Sequence, residues 1–160
     1  MDEAPPTVGD EATAFHEAGH AVAALALDRP VVRVSIRPDR DALGICAFGK
    51  AVFRPSKDWL EREVLIALAG MAAEAKRTGA YDREAAGRDL RYAGKLAMQR
   101  GGERQAERLQ RRMLARVENL LERPANWAAV ERIAAELLRS GEMSGRQARH
   151  LYDECVRREE

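Results

Sequence analysis

The sequence predicts a mainly α-helical domain with a small β-hairpin or sheet, and three observations carry that reading. The chain is rich in Ala, Leu, Arg and Glu with only 5% aromatic residues, a composition that favours helix. Apolar residues recur at helical spacing through several long segments, as at Leu109, Met113, Val117, Leu120 and Leu121. One short patch, VVRVSI from Val31 to Ile36, breaks the trend with β-branched residues in alternation.

Taken in order, the acidic, proline-bearing stretch 1–9 reads as a flexible N-terminal tail. The first helix is placed from Asp10, an N-cap residue type, to about Asp28, where Arg29-Pro30 ends it. Val31 to Ile36 and ICAF (45–48) flank a turn-like RPDRDALG and form the β element. Helix resumes near Ser56 or Asp58, with Asp58 and Glu61 at capping-box spacing, and runs to Gly79. Further helices fit Arg83 to Arg100, closed by Gly101-Gly102, and Glu103 to Arg123, stopped by Pro124. A helix over 125–140 follows, and Ser144 with Gln147 opens the last one. With 160 residues and no repeat or linker, the expectation is a single domain spanning 1–160.

Charge and cysteine content narrow the function. A net charge of +1 provides no overall field for nucleic acid or an anionic membrane. Arg100 to Arg123 holds seven arginines against four glutamates, but without interleaved aromatics this reads as a solvated helix face, not a nucleic-acid surface. Cys46 and Cys155 are too few and too far apart for a disulfide framework or thiolate cluster, and Cys46 in GICAF reads as a small buried residue. No signal-peptide pattern or membrane-spanning apolar run is present, so a soluble, cytoplasmic protein is expected. Trp59 and Trp127 read as core, and His150 as a surface or partly buried histidine.

The chemistry-bearing stretch is FHEAGH, from Phe15 to His20, which holds two of only three histidines. Residues four apart share a helix face, so His16 and His20 can aim ring nitrogens at one point. Imidazoles so placed can clamp zinc, with Glu17 beside them to take a proton from attacking water and deliver it to a leaving amine; the short motif alone equally fits two ordinary helix-surface or core histidines. Gly19 costs about 1 kcal/mol relative to alanine inside a helix, which implies a close-packing or access requirement.

The stretch FHEAGHAVAALALDRPVVRVSIRPDRDALGICAF resembles the peptidase domain of the FtsH-type ATP-dependent zinc metalloproteases. The matching positions are the HEAGH helix, then Val34, Ile36, Pro38, Arg40 and Ala42-Leu43-Gly44, then Gly70, Ala73 and Glu74 in LIALAGMAAEA. The stretch AAGRDLRYAGKLA is similar to the segment holding the family's aspartate ligand, which falls on Asp89, and the tail from Val117 also looks like the family's closing helices. The resemblance implies a zinc endopeptidase with Glu17 as catalytic residue and His16, His20 and Asp89 as metal ligands. Glu74 is a rival ligand or, more in keeping with its place, either an acceptor orienting a histidine ring or an ion-pair partner on a helix face. The 160 residues contain neither a P-loop nor a membrane anchor. The expected substrates are therefore flexible or unfolded polypeptides, or ones delivered by a separate ATPase. If Val31 to Ile36 forms a sheet edge by the metal, it can take up an extended peptide by strand addition. A non-enzymatic binding or regulatory module that keeps the peptidase fold is the alternative.

Overall fold

The computed structural model describes residues 4–5, 7–38, 42–49 and 57–158. Among them lie six helices and a three-stranded sheet: α1 (Val8–Ala26), β1 (Val31–Ser35), β2 (Ile45–Phe48), α2 (Lys57–Thr78), α3 (Gly87–Met98), α4 (Glu103–Glu122), α5 (Pro124–Ser140), β3 (Glu142–Ser144) and α6 (Gly145–Arg157). The mainly helical class read from the sequence is borne out. No helix among the described residues is long and apolar enough to cross a membrane.

The start of α1 corrects the sequence reading. Thr7 is the N-cap, and its hydroxyl accepts from the Asp10 N–H at 3.1 Å while the Asp10 carboxylate accepts from the Thr7 N–H at 2.9 Å. Asp10 is therefore the acidic third residue of a capping box, not the cap itself. Val8 and Gly9 belong to the helix rather than to a tail. Elsewhere the differences follow from local chemistry. The stretch before α3 forms a turn, held by the Ala85 N–H donating to Asp82 Oδ1, so that helix starts at Gly87 instead of Arg83. Pro124 both ends α4 and occupies the first turn of α5, a place where its missing N–H costs nothing. Ser144 caps α6 by accepting from the Gln147 N–H, but the Gln147 side chain goes to Glu136, leaving the predicted box half made. The Asp58 side chain of the other predicted box, with Ser56, lies outside the described residues.

The helical core is built where α1 packs against α2 and α5, and α2 against α3 and α4. Gly19 accounts for the closeness of α1 to α2. A Cβ there would lie 2.7 Å from the Ala69 carbonyl oxygen and closer still to Ala73 Cβ. Gly19→Ala is expected to destabilise the protein by an amount near the upper end of the ~1–3 kcal/mol of overpacking, because a helix carbonyl cannot swing aside. That outweighs the ~1 kcal/mol alanine returns in helix propensity. A denaturant midpoint equal to or above the wild type's would show that the helices part freely.

The sheet order is β2-β1-β3, all antiparallel, with Val34 opposite both Cys46 and Met143. Val31 to Ile36 thus yields the central strand, not an edge, and the strand-addition edge expected there passes to β2. The third strand, β3, was not foreseen: Glu142–Ser144 is three residues long and carries no alternation long enough to signal itself. Arg29 ties the β2 end of the sheet to α2. Its Nε donates to Glu63 Oε1 at 3.0 Å, its Nη1 donates to the Gly49 carbonyl, and its guanidinium lies 5.3 Å from the Phe48 ring centre.

The arginine-rich segment also resolves into packing. Arg100, Arg112 and Arg116 converge on Glu61 of α2 at 3.6, 3.3 and 3.6 Å. Only Arg111 with Glu107 pairs along α4 itself, at 3.8 Å. His150 is exposed and pairs with Glu154 at 2.7 Å. Trp59 and Trp127 are half-buried against the core, Trp127 stacking at 5.8 Å from Phe15.

Candidate metal centre

Three polar atoms from two helices converge beside the sheet. His16 and His20 present their Nε2 atoms from one face of α1, and Asp89 enters from the first turn of α3. Asp89 Oδ2 lies 2.8 Å from His16 Nε2 and 3.0 Å from His20 Nε2, and the two nitrogens are 3.2 Å apart. Among the described residues these form a group that could hold a metal ion, with all ligand atoms within 4.8 Å of one another. Tetrahedral zinc with bonds near 2.0–2.1 Å separates its ligands by roughly 3.3 Å, so the triangle needs to open by only a few tenths of an ångström. Two imidazoles and a carboxylate are a donor set that suits this ion.

The histidine rings are set from outside the triangle. His20 Nδ1 donates to the Ile66 carbonyl of α2 at 2.8 Å, which leaves Nε2 facing Asp89. Burial disfavours a charged His20, yet the adjoining Asp89 carboxylate outweighs it and raises the imidazole pKa. Burial likewise pushes Asp89 up, and the two histidines overcome it to hold the carboxyl well below the usual range. Beneath both rings lies Gly70 of α2. A Cβ on Gly70 would stand 2.7 Å from His16 Cδ2 and Nε2 and nearer still to His20 Nε2, so only glycine leaves room for the pair.

Glu17 is buried beside the triangle without entering it. Burial raises its carboxyl pKa, with His20 and His16 pulling the other way. Gly44, just before β2, packs over it: a Cβ there would lie 3.0 Å from Glu17 Cγ. Glu74, one helical turn beyond Gly70, also stays outside the triangle; its Oε2 is buried with no hydrogen-bond partner among the described residues, and burial raises its pKa while His16 opposes that rise. Cys46 is half-buried on β2, and burial, reinforced by the Glu17 and Asp89 charges, pushes its thiol well above the ordinary value. The small buried residue read from the sequence is thus only partly enclosed.

The cleft over the triangle has two lobes, of about 580 and 230 Å³, that share Glu17, Gly44, Arg88 and Asp89. One runs toward Thr13, Leu43, Glu74 and Asp82, the other along β2 toward Phe48, Ile66 and Tyr92. Sequence reasoning missed Gly70 as the floor of the site and the Arg29–Glu63 pair beside the smaller lobe. A glycine inside an otherwise apolar helix was the available signal for the first; the second joins residues 34 apart with no local pattern.

Comparison with curated proteins returned no match. A sequence model described as peptidase family M41 matches residues 9–103, a span that takes in α1, the β1–β2 hairpin, α2 and α3 and hence the whole histidine–aspartate triangle. The likeness of the closing helices lies beyond that span. Since more than half of the chain is matched, it belongs to peptidase family M41.

Proposed function

We propose that the chain is a zinc-dependent endopeptidase that hydrolyses peptide bonds in flexible or unfolded protein segments. One observation carries the reading: two imidazoles and a carboxylate meet within 3.2 Å at the base of an open cleft, with a buried glutamate beside them that is not part of the triangle. His16, His20 and Asp89 would hold the ion. Bound there, zinc supplies Lewis acidity, which lowers the pKa of water and polarises a carbonyl.

The remaining steps belong to the protein. Glu17 accepts a proton from water as its oxygen bonds to the scissile carbonyl carbon, then returns that proton to the amide nitrogen as the C–N bond breaks. The substrate lies extended along β2, whose outer edge has no partner strand among the described residues and which borders the cleft through Gly44, Ile45 and Phe48. Main-chain pairing there accepts many sequences but demands an extended chain. An edge that pairs only with extended chain leaves a folded target uncut unless an ATPase unfolds it first.

The test uses the purified chain. It is expected to take up about one zinc, and in that form to degrade a denatured, casein-like protein while sparing a stably folded domain. Absence of zinc after supplementation would remove the proposal. Zinc binding with capture but no cutting of unfolded chains would favour the binding-module alternative.

A further inference from the structure

We infer that the larger lobe of the cleft receives a basic side chain of the substrate, lysine or arginine, close to the bond that is cut; this rests on the peptidase reading above. The two lobes differ in how their charges are settled. At the end of the smaller lobe that is not shared, the carboxylate of Glu63 is matched by Arg29 at 3.0 Å, with little of either side chain exposed. In the larger lobe Glu74 and Asp82 both face the space, and neither forms an ion pair among the described residues. Glu74 is only 7% exposed, its Oε2 has no hydrogen-bond partner among the described residues, and it feels the charge of Asp82.

A buried carboxylate oxygen without a donor is costly unless something supplies one. Nearby protein donors do not: Asp82 is itself an acceptor, engaged through Oδ1 with the Ala85 N–H. An ammonium or guanidinium group brings several donors and a full positive charge to a lobe lined by both acidic residues. Arg88, which is exposed, lines the part of the cleft that both lobes share with Asp89. The apolar wall opposite, with Leu43 72% exposed, suits the methylene stem of such a side chain. The same ammonium chemistry could come from the α-amino group of a substrate's first residue. The lobe is favoured for a side chain because an extended strand along β2 continues past both ends of the site, whereas a chain terminus would have to stop within it.

The experiment uses N-acetylated unstructured peptides in which one lysine is walked along the sequence, with norleucine, its neutral near-isostere, as reference. A further norleucine peptide carries a free N-terminus. Affinity is measured calorimetrically on zinc-loaded Glu17→Gln protein, and kcat/KM on wild type. Lysine at one position is expected to improve both by about tenfold or more over norleucine. Asp82→Asn, which keeps the bond to Ala85, and Glu74→Gln, which keeps shape, should each bring that ratio toward one while zinc content stays at wild-type level. Ratios near one in wild type, ratios unchanged in both variants, or a preference confined to the free N-terminus would overturn the assignment. Selective binding without any cleavage would support the subsite and instead remove the peptidase reading.

Discussion

Glu17→Gln protein is expected to hold its zinc and to hydrolyse unfolded substrate slower than wild type by a factor on the order of 10² or more. The amide keeps the volume of a side chain that is only 7% exposed and packed beneath Gly44, so the cleft should keep its shape. What it removes is the site that takes and returns the proton. His20→Ala should behave differently, losing zinc and activity together, because it deletes one corner of the triangle and the ring that the Ile66 carbonyl orients. Metal analysis and rate, measured on the same preparations, separate the two cases. Unchanged hydrolysis in Glu17→Gln protein would assign the cutting to some other group.

The second large effect is expected from a residue with no side chain. Gly70→Ala improves helix propensity by about 1 kcal/mol, so secondary structure alone would favour it. The added Cβ, however, falls within 2.7 Å of His16 Nε2 and closer to His20 Nε2, which are the atoms that have to meet. Both rings must tilt, and the triangle with its 2.8, 3.0 and 3.2 Å edges opens unevenly. Zinc affinity should fall by about 10–100-fold or more, as when a ligand loses its orienting support, with the helical circular dichroism retained. Competitive zinc titration decides it: wild-type affinity in the alanine protein would mean the rings have slack that the close packing conceals.

Much of this was legible in the sequence for definite reasons. His16, Glu17 and His20 sit within one helical turn, where a fixed period converts spacing directly into geometry. Asp89 was reachable only through resemblance, since nothing in GRDLRYAG tells a ligand from a solvated helix-start acid; its partners are 69 and 73 residues away. Helices announced themselves by repeating apolar positions, whereas β3 is too short for any period to show. Thr7 was missed as a cap because Asp10 is an equally good cap by residue type; only the reciprocal bond between them decides which is which. The status of β1 as a central strand depends on β3, contributed from more than 100 residues later, and no local reading of Val31 to Ile36 could supply it.

That late contribution has a consequence for how the molecule comes together during synthesis. β3 and the start of α6 close against β1 so tightly that a Cβ on Gly145 would run into the Val31 carbonyl. Until the ribosome has delivered residues 142–145, β1 carries an unpaired row of amides and carbonyls on the side that β3 will cover. The nascent sheet then has β1 open on one flank and β2 on the other, and an unpaired flank attracts stray chains as readily as a substrate. A chain cut back near residue 103 would hold every member of the triangle yet keep that extra flank for good. Such a fragment should self-associate or clog with unfolded protein, so the C-terminal segment serves the cleft by replacing the open flank of five-residue β1 with the much shorter edge of three-residue β3.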